Sequence, residues 1–220
     1  MTILYLQGSN LNDAQFLYID IGVLVPLCIF QSWTGAYHSL TSQLPQESLF
    51  SPPVLVSVLG SAAIQFCFQF YLFLTIENDI GDAEFEECVP AEDFDDDDPP
   101  CSYNTMLYEF TCMQYIICCL CFSISKPFRK AVWTNPLYLF CVIVMTAYQT
   151  YLIFFLDDWS EDAFGLLEFP TSYKWKLFIL VCVDGVVTYL YEKILIQWFC
   201  QYWNRRTDLK IEDERKQKVE

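Results

Sequence analysis

The stretch of sequence that decides the fold is SNLNDAQFLYIDIGVLVPLCIF, from Ser9 to Phe30. From Gln15 onward it is almost entirely apolar, and about 20 such residues are enough to cross a bilayer as a helix. The stretch nevertheless carries two carboxylates, Asp13 and Asp20. An ionisable group inside a membrane helix costs roughly 2.5–3.5 kcal/mol on insertion scales, so it usually faces a bundle interior or a water-filled cavity.

Hydrophobic residues make up 54% of the 220-residue chain, and they are grouped in long blocks. Because helices satisfy their own backbone hydrogen bonds in lipid, these blocks predict an all-α, polytopic membrane helix bundle. About five full transmembrane helices are expected, at roughly 15–33, 53–74, 105–124, 136–156 and 175–196. The bundle then occupies 9–196, and a charged tail follows it at 197–220.

The basic residues lie in two places, in the segment 125–130 and in the tail, and no Lys or Arg precedes Lys126. Positively charged loops stay on the cytosolic side of a membrane, which predicts a cytosolic tail. The segment 75–104 contains many acids and no base. Since it lies one span away from the basic loop, we expect it to face the lumen or the outside, as the N-terminus does.

Most of the eleven cysteines fall inside the predicted spans, where cysteine behaves as a small hydrophobe. Cys88 and Cys101 are different, because both lie in the acidic loop. In an oxidising compartment they could form a disulfide, and two free thiols in a loop fit the sequence as well. No CxxC motif has a second one to complete a zinc site, so no metal site is predicted.

Asp13, Phe16 and Asp20 lie on one face of the first predicted helix, because residues three or four apart are neighbours on a helix surface. Gln15 and Ile19 flank this face. A carboxylate attracts an ammonium group and an aromatic face holds a cation, so the pattern indicates a cation path. For Asp13 the alternative is an ordinary acidic residue in a loop, and we favour this interpretation. For Asp20 the alternative is a structural hydrogen bond between helices, and we favour the functional interpretation.

Four more polar residues lie within the predicted spans. Gln114 is expected to form an interhelical hydrogen bond, and Asp184 must have a partner or a cavity because it lies near mid-span. Glu109 lies one turn into its helix and is expected to reach the interface, as is Glu192 at the other end of the bundle. The chain has no phosphate-binding loop, no glycine-rich dinucleotide loop and no basic nucleic-acid face.

The segment SNLNDAQFLYID resembles the connection between the fifth and sixth transmembrane helices of type-5B P-type ATPases, the lysosomal polyamine-transporter family. That family's form is close to SNLGD-x-QFL-x-ID, and Asn12 replaces its glycine. SPPVL at 51–55 resembles the opening of the family's helix seven. Weaker similarities continue to Glu192, in order along almost the whole chain, although Asp184 stands where the family has Asn.

The resemblance implies that the five spans are helices six to ten, and that 1–8 is the end of a preceding transmembrane helix. It implies that Asp20 helps to bind the ammonium groups of a polyamine such as spermine or spermidine. Phe16 and Tyr18 are then expected near that pocket, and Asp13 and Gln15 complete the candidate substrate-binding set. The membrane is expected to be that of the late endosome or lysosome.

The phosphorylation motif DKTGT of such pumps does not occur in the chain, and neither does the dephosphorylation loop. Phosphoryl transfer needs an acceptor, a metal and a nucleotide site, so we expect no catalysis by this chain alone and no cofactor bound to it. ATP and Mg²⁺ are expected in a full-length pump, which would supply the missing N-terminal portion. Two alternatives remain: a non-catalytic membrane protein that binds or regulates a pump, and a small cation channel or carrier.

Overall fold

The computed structural model describes residue 4 and residues 10–39, 50–79, 101–123, 128–203 and 205–206. Within these residues the regular structure is helical, apart from one isolated β-bridge between Ala36 and Arg129. The predicted all-α class is therefore confirmed for the part of the chain that is described. The residues 80–100, which form most of the acidic loop, and 207–220, which form most of the tail, lie outside it.

The described α-helices follow one another along the chain, and we number them in that order: α1 Asp13–Ser32, α2 Pro52–Asp79, α3 Ser102–Cys121, α4 Pro136–Phe154, α5 Asp158–Phe164 and α6 Thr171–Leu190. A π-helical segment, Tyr18–Leu24, lies within α1. A second one, Tyr191–Ile196, continues α6. A short 3₁₀ turn, Val132–Thr134, precedes α4.

Three of these helices, α1, α2 and α4, are long and apolar enough to cross a membrane. The chain is therefore an integral membrane protein. In α3, polar residues such as Glu109 and Gln114 lower the apolar content, and α6 carries Lys174, Lys176 and Asp184. The number of about five spans stays a prediction for this reason.

Asparagine residues begin two of the helices. The side chain of Asn12 accepts a hydrogen bond from the Gln15 backbone N–H at 2.8 Å, and the Gln15 Oε1 accepts one from the Asn12 backbone N–H at 3.1 Å. This capping box satisfies two backbone groups that a helix start leaves free. Asn135 caps α4 in a similar way, with Pro136 in the first helical position, where a proline needs no N–H.

The most polar of the long helices, α3, lies at the centre of the bundle. It contacts α1, α2, α4 and α6, and most of its residues are buried, including Glu109, Gln114 and Tyr108. Neighbouring helices thus shield its polar groups from lipid. A polar membrane helix is stable only when its groups face a protein interior, and this position explains its composition.

The outer faces of the helices are apolar. On α1 the large exposed side chains recur every four residues, at Leu17, Ile21, Val25 and Ile29. In water such a row would mark an interaction site, whereas in a bilayer it is the surface that lipid or another helix covers.

Tertiary contacts connect the loops at each end of the bundle. At one end, the bridge between Ala36 and Arg129 joins the connection after α1 to the connection after α3, and Asn135 donates a 2.6 Å hydrogen bond to the Phe30 carbonyl. At the other end, Asn104 donates to the Asn10 carbonyl at 3.1 Å. The start of α1 thus lies beside the start of α3, as expected if the chain crosses the membrane twice between them, through α1 and α2.

Cys101 is disulfide-bonded, whereas cysteines inside the helices, such as Cys112 and Cys141, are free thiols. Cys88, which the sequence suggests as the partner of Cys101, lies outside the described residues. The pairing of these two cysteines stays a prediction.

Candidate functional site

Asp20 lies in the π-helical segment of α1, where the backbone departs from the ordinary helical ladder. The Val25 N–H donates to the carbonyl of Asp20, five residues earlier. Pro26 comes next and has no N–H, so it cannot make the usual bond to the carbonyl of Gly22, four residues before it. Such π-helical turns are rare and occur often at functional sites.

Asp20 and Phe16 together line a groove of about 430 Å³ between α1, α2 and α3. Its other walls are apolar or weakly polar: Leu4, Leu11, Ile19, Gln69, Leu107, Thr111 and Tyr115. The side chain of Asp20 is exposed in the described part of the chain, and that of Phe16 is 36% exposed at the mouth of the groove. The expected pairing of this carboxylate with this aromatic ring is therefore present in the structure.

The groove has the chemistry of a site for an organic cation. Asp20 supplies one negative charge, no basic residue is among the lining residues, and the rings of Phe16 and Tyr115 offer aromatic faces to a cation. Gln69 and Thr111 add hydrogen-bonding groups to otherwise apolar walls. Small-molecule sites commonly combine apolar walls with a few polar groups in this way.

Asp13 is not among the residues that line the groove. It is exposed in the first turn of α1, where a carboxylate interacts favourably with the positive end of the helix dipole. The structure thus places Asp13 in the first helical turn and not in a loop, and its role stays a prediction.

Gln15 is fully buried, and its amide joins three parts of the chain. Its carbonyl oxygen accepts the hydrogen bond from Asn12, and its Nε2 donates to the Phe164 carbonyl at 2.8 Å. The amide therefore fastens the start of α1 to the end of α5. The structure does not bring it to the groove.

Tyr18 faces the bundle interior instead of the groove. Its ring packs against Phe164, Tyr148 and Tyr108, with centroids 5.4, 5.9 and 6.4 Å away, and its hydroxyl donates to Gln149 at 3.3 Å. Of the five residues proposed from the sequence for substrate binding, only Phe16 and Asp20 share this groove. Their role in binding stays a prediction.

The sequence analysis did not single out Gln69, Thr111 or Tyr115, which also line the groove. Gln69 had a recognisable signal, because it ends a polar row at four-residue spacing on α2: Ser57, Ser61, Gln65 and Gln69. Thr111 and Tyr115 are likewise four residues apart on α3, but only the packing of the helices shows that they face α1.

The other polar residues of the spans find partners inside the bundle. Gln114 accepts from Gln69 at 2.7 Å, which confirms the predicted interhelical hydrogen bond, and Asp184 accepts from Gln65 at 3.2 Å. Glu109 does not reach the interface as expected, because it is only 4% exposed and interacts with Lys174. Glu192 accepts a hydrogen bond from Ser57 at 2.8 Å, so it is held by α2.

Membrane-length helices around a groove that carries a carboxylate define a helical integral membrane protein with a candidate cation site. No family model matches the chain, but curated proteins do. It is 32% identical to the vacuolar cation-transporting ATPase YPK9 of Saccharomyces cerevisiae over 83% of the chain. It is 25% identical to the human polyamine-transporting ATPase 13A3 over 90% of the chain, and 28% identical to the mouse polyamine-transporting ATPase 13A2 over 92%.

The chain therefore belongs to the type-5B P-type ATPases, the family that the sequence resembles. It spans only a small part of these relatives, 12% of the yeast protein, 18% of the human one and 17% of the mouse one.

Proposed function

We propose that this chain is the C-terminal, membrane-embedded part of an ATP-driven polyamine transporter. In this proposal Asp20 binds an ammonium group of the substrate in the groove that it shares with Phe16. The observation that carries the proposal is this pairing of a carboxylate and an aromatic ring in an otherwise mainly apolar groove. Two of the relatives are named as polyamine-transporting ATPases, which supports the choice of substrate class.

The chemistry of a polyamine matches the groove in two respects. Its ammonium groups pair with a carboxylate and lie over aromatic rings, and its methylene segments pack against apolar walls. A charge-assisted hydrogen bond is worth about 1.5–3 kcal/mol, so Asp20 would account for a large part of the affinity.

Phosphorylation, ATP and Mg²⁺ belong to the rest of the pump in this proposal, because such chemistry needs groups that the present sequence does not contain. The chain alone would therefore neither hydrolyse ATP nor drive transport. We propose a late endosomal or lysosomal membrane, with the segment 75–104 in the lumen and the tail 197–220 in the cytosol. Polyamine would leave the lumen for the cytosol.

The experiment that tests the proposal compares Asp20→Asn with Asp13→Asn in the longer protein that supplies the ATP-hydrolysing part. Uptake of radiolabelled spermine is measured in sealed membrane vesicles whose lumenal face is outward and which contain ATP. Loss of a charge-assisted hydrogen bond predicts an affinity about tenfold to 100-fold weaker for Asp20→Asn. Asp13→Asn removes a carboxylate outside the groove and is expected to retain wild-type uptake.

If Asp20→Asn has the wild-type spermine affinity and uptake rate, Asp20 does not bind the substrate and the proposal fails. If both variants lose uptake equally while both proteins reach the membrane, the groove is not the origin of the effect. Spermine uptake by the present chain without ATP would instead support the carrier alternative.

A further inference from the structure

A second polar region lies between α2 and α6, and one of its residues, Gln69, also lines the groove. Both helices carry polar residues at four-residue spacing, so that each presents them on one face. The residues are Ser57, Ser61, Gln65 and Gln69 on α2, and Asp184, Thr188 and Glu192 on α6 and its continuation. The two faces meet, and we call these seven residues the polar seam.

Hydrogen bonds across the seam converge on one oxygen of Asp184. Gln65 Nε2 donates to Asp184 Oδ1 at 3.2 Å and to the Thr188 hydroxyl oxygen at 2.8 Å, and the Thr188 hydroxyl donates to the same Oδ1 at 3.3 Å. Asp184 and Thr188 are fully buried. Donors that converge on a carboxylate favour its ionised form.

Three oxygen atoms in the middle of the seam have no hydrogen-bond partner within the described part of the chain: Asp184 Oδ2, Gln65 Oε1 and Ser61 Oγ. They come from residues that are joined by the bond between Gln65 and Asp184, with Ser61 one helical turn from Gln65. Asp184 is 0% exposed and Ser61 is 2% exposed. A buried polar group without a partner costs about 1–3 kcal/mol, so three of them together call for a ligand.

No basic side chain neutralises Asp184 among the described residues. From α3, Gln114 also forms a hydrogen bond with the Asp184 carboxyl group, and the titratable groups of α3 that interact with it are the thiols of Cys118 and Cys121. The groups of α2 and of α6 that form hydrogen bonds with Asp184 are uncharged, namely those of Gln65 and Thr188. No charged group of α4 interacts with Asp184 electrostatically. Lys193 is engaged elsewhere, because it donates to the Ser123 carbonyl at 3.3 Å. A buried carboxylate is stable in a membrane only when its charge is balanced.

We propose that Asp184, Gln65 and Ser61 form a binding site for one alkali-metal cation, with Asp184 Oδ2, Gln65 Oε1 and Ser61 Oγ as its oxygen ligands. Hard cations prefer oxygen ligands, and a single carboxylate balances a single positive charge. A proton on Asp184 Oδ2 supplies a single donor, whereas a cation is coordinated by all three oxygens at once.

The site is connected to the Asp20 groove by hydrogen bonds. Gln114 donates to the Gln65 carbonyl at 3.2 Å and accepts from Gln69 at 2.7 Å, and Gln69 donates to Thr111 at 3.2 Å. Gln69 and Thr111 line the groove. A cation at Asp184 would thus order side chains that also form the wall of the groove, although the cation site itself does not depend on what the groove binds.

The test uses direct binding of ²²Na⁺ to the purified wild-type protein at pH 8, with thermal unfolding midpoints in NaCl, KCl and choline chloride at equal ionic strength. We expect saturable binding of about one Na⁺ or K⁺ per chain and a higher midpoint than in choline, as for any ligand that binds only the folded state. Asp184→Asn should weaken binding at least tenfold, and Ser61→Ala should weaken it less. Asp13→Asn is the matched control, because it removes an exposed carboxylate outside both sites, and it should bind Na⁺ as the wild type does.

Each contrary outcome overturns the proposal. Absence of saturable alkali-cation binding in the wild type would do so without any variant, even if Asp184→Asn fails to fold. A midpoint that depends on pH but not on Na⁺ or K⁺, with this dependence lost in Asp184→Asn, would make Asp184 a proton site. Stabilisation by spermine alone, lost in Asp184→Asn, would make it an ammonium site. Na⁺ binding that persists in a folded Asp184→Asn protein would place the cation elsewhere.

Discussion

Gln15 and Asp20 lie on the same helix, only five residues apart, yet they face different parts of the bundle. Gln15 points to α5 and Asp20 to the groove. The π-helical segment between Tyr18 and Leu24 lies within this stretch of helix and changes the angular spacing of successive side chains. A residue's role in α1 therefore depends on its angular position more than on its polarity.

At the scale of the residue, we predict that Gln15→Leu destabilises the folded protein by about 2–3 kcal/mol. The substitution removes the bond to the Phe164 carbonyl and half of the capping box, and it leaves a buried carbonyl without a donor. The measurement is the free energy of unfolding in detergent. Asp13→Asn, two residues earlier but exposed, is the control and should cost less than about 1 kcal/mol.

This prediction also separates two roles for Gln15. If Gln15→Leu unfolds as the wild type does but binds spermine less tightly, the residue belongs to the substrate site that the sequence first suggested. A loss of stability with unchanged spermine affinity would assign it to the fold.

At the scale of the element, α2 and the continuation of α6 approach each other closely at Gly60. A Cβ atom there would overlap the hydroxyl and ring of Tyr191, whose hydroxyl donates a 2.6 Å hydrogen bond to the Val56 carbonyl. A larger residue at position 60 therefore requires the Tyr191 ring to move, and glycine is not needed there for an unusual backbone conformation.

We predict that the effect of Gly60→Ala on the free energy of unfolding changes sign with the residue at position 191. With Tyr191 present it should destabilise the protein by about 1–3 kcal/mol, since the ring must move and loses its bond. In a Tyr191→Ala background the same substitution should stabilise by about 0.5–1 kcal/mol, because alanine is the better helix former. A double-mutant cycle on thermal unfolding measures both values, and additive effects would show that the two residues do not meet.

The sequence predicted the helices better than it predicted which faces meet. Apolar length alone located the helical segments, because lipid permits little other than helix across a membrane. The short helix α5 was not predicted, since seven residues at a loop have no periodic signal. Asp20 and Phe16 were recognised from local spacing, whereas Tyr115 reaches the groove only through the packing of α3 on α1. Long-range contacts of this kind leave no mark in a single sequence.

At the scale of the whole molecule, the arrangement is a polar central helix inside a more apolar ring. In a bilayer the outer surface gains nothing from leaving the lipid, so packing and hydrogen bonds between helices must supply specificity. The amides of Gln65, Gln69 and Gln114 do this by joining α2, α3 and α6. Such a bundle tolerates apolar changes on its outer face better than changes of its amides.

The same arrangement predicts the orientation of the loops. The bridge between Ala36 and Arg129 requires the connections after α1 and after α3 to lie on one side of the membrane. Arg129 belongs to the basic loop, which the distribution of positive charge assigns to the cytosol. The segment 40–49 should then be cytosolic although it carries no base, and the segment 75–104 should lie on the opposite side.

Epitope tags test this orientation when they are inserted singly within 40–49, within 80–100 and after Glu220. In sealed vesicles with the cytosolic face outward, antibodies should bind the first and third tags directly and the second only after detergent is added. The tag after Glu220 is the reference, because the basic tail fixes its side most strongly. If the tag within 40–49 is protected while the tail is accessible, either α1 and α2 do not cross the membrane as proposed or the contact between Ala36 and Arg129 does not form in the membrane. Protection of the acidic segment, in contrast, would place its carboxylates on the side from which a polycation is proposed to enter.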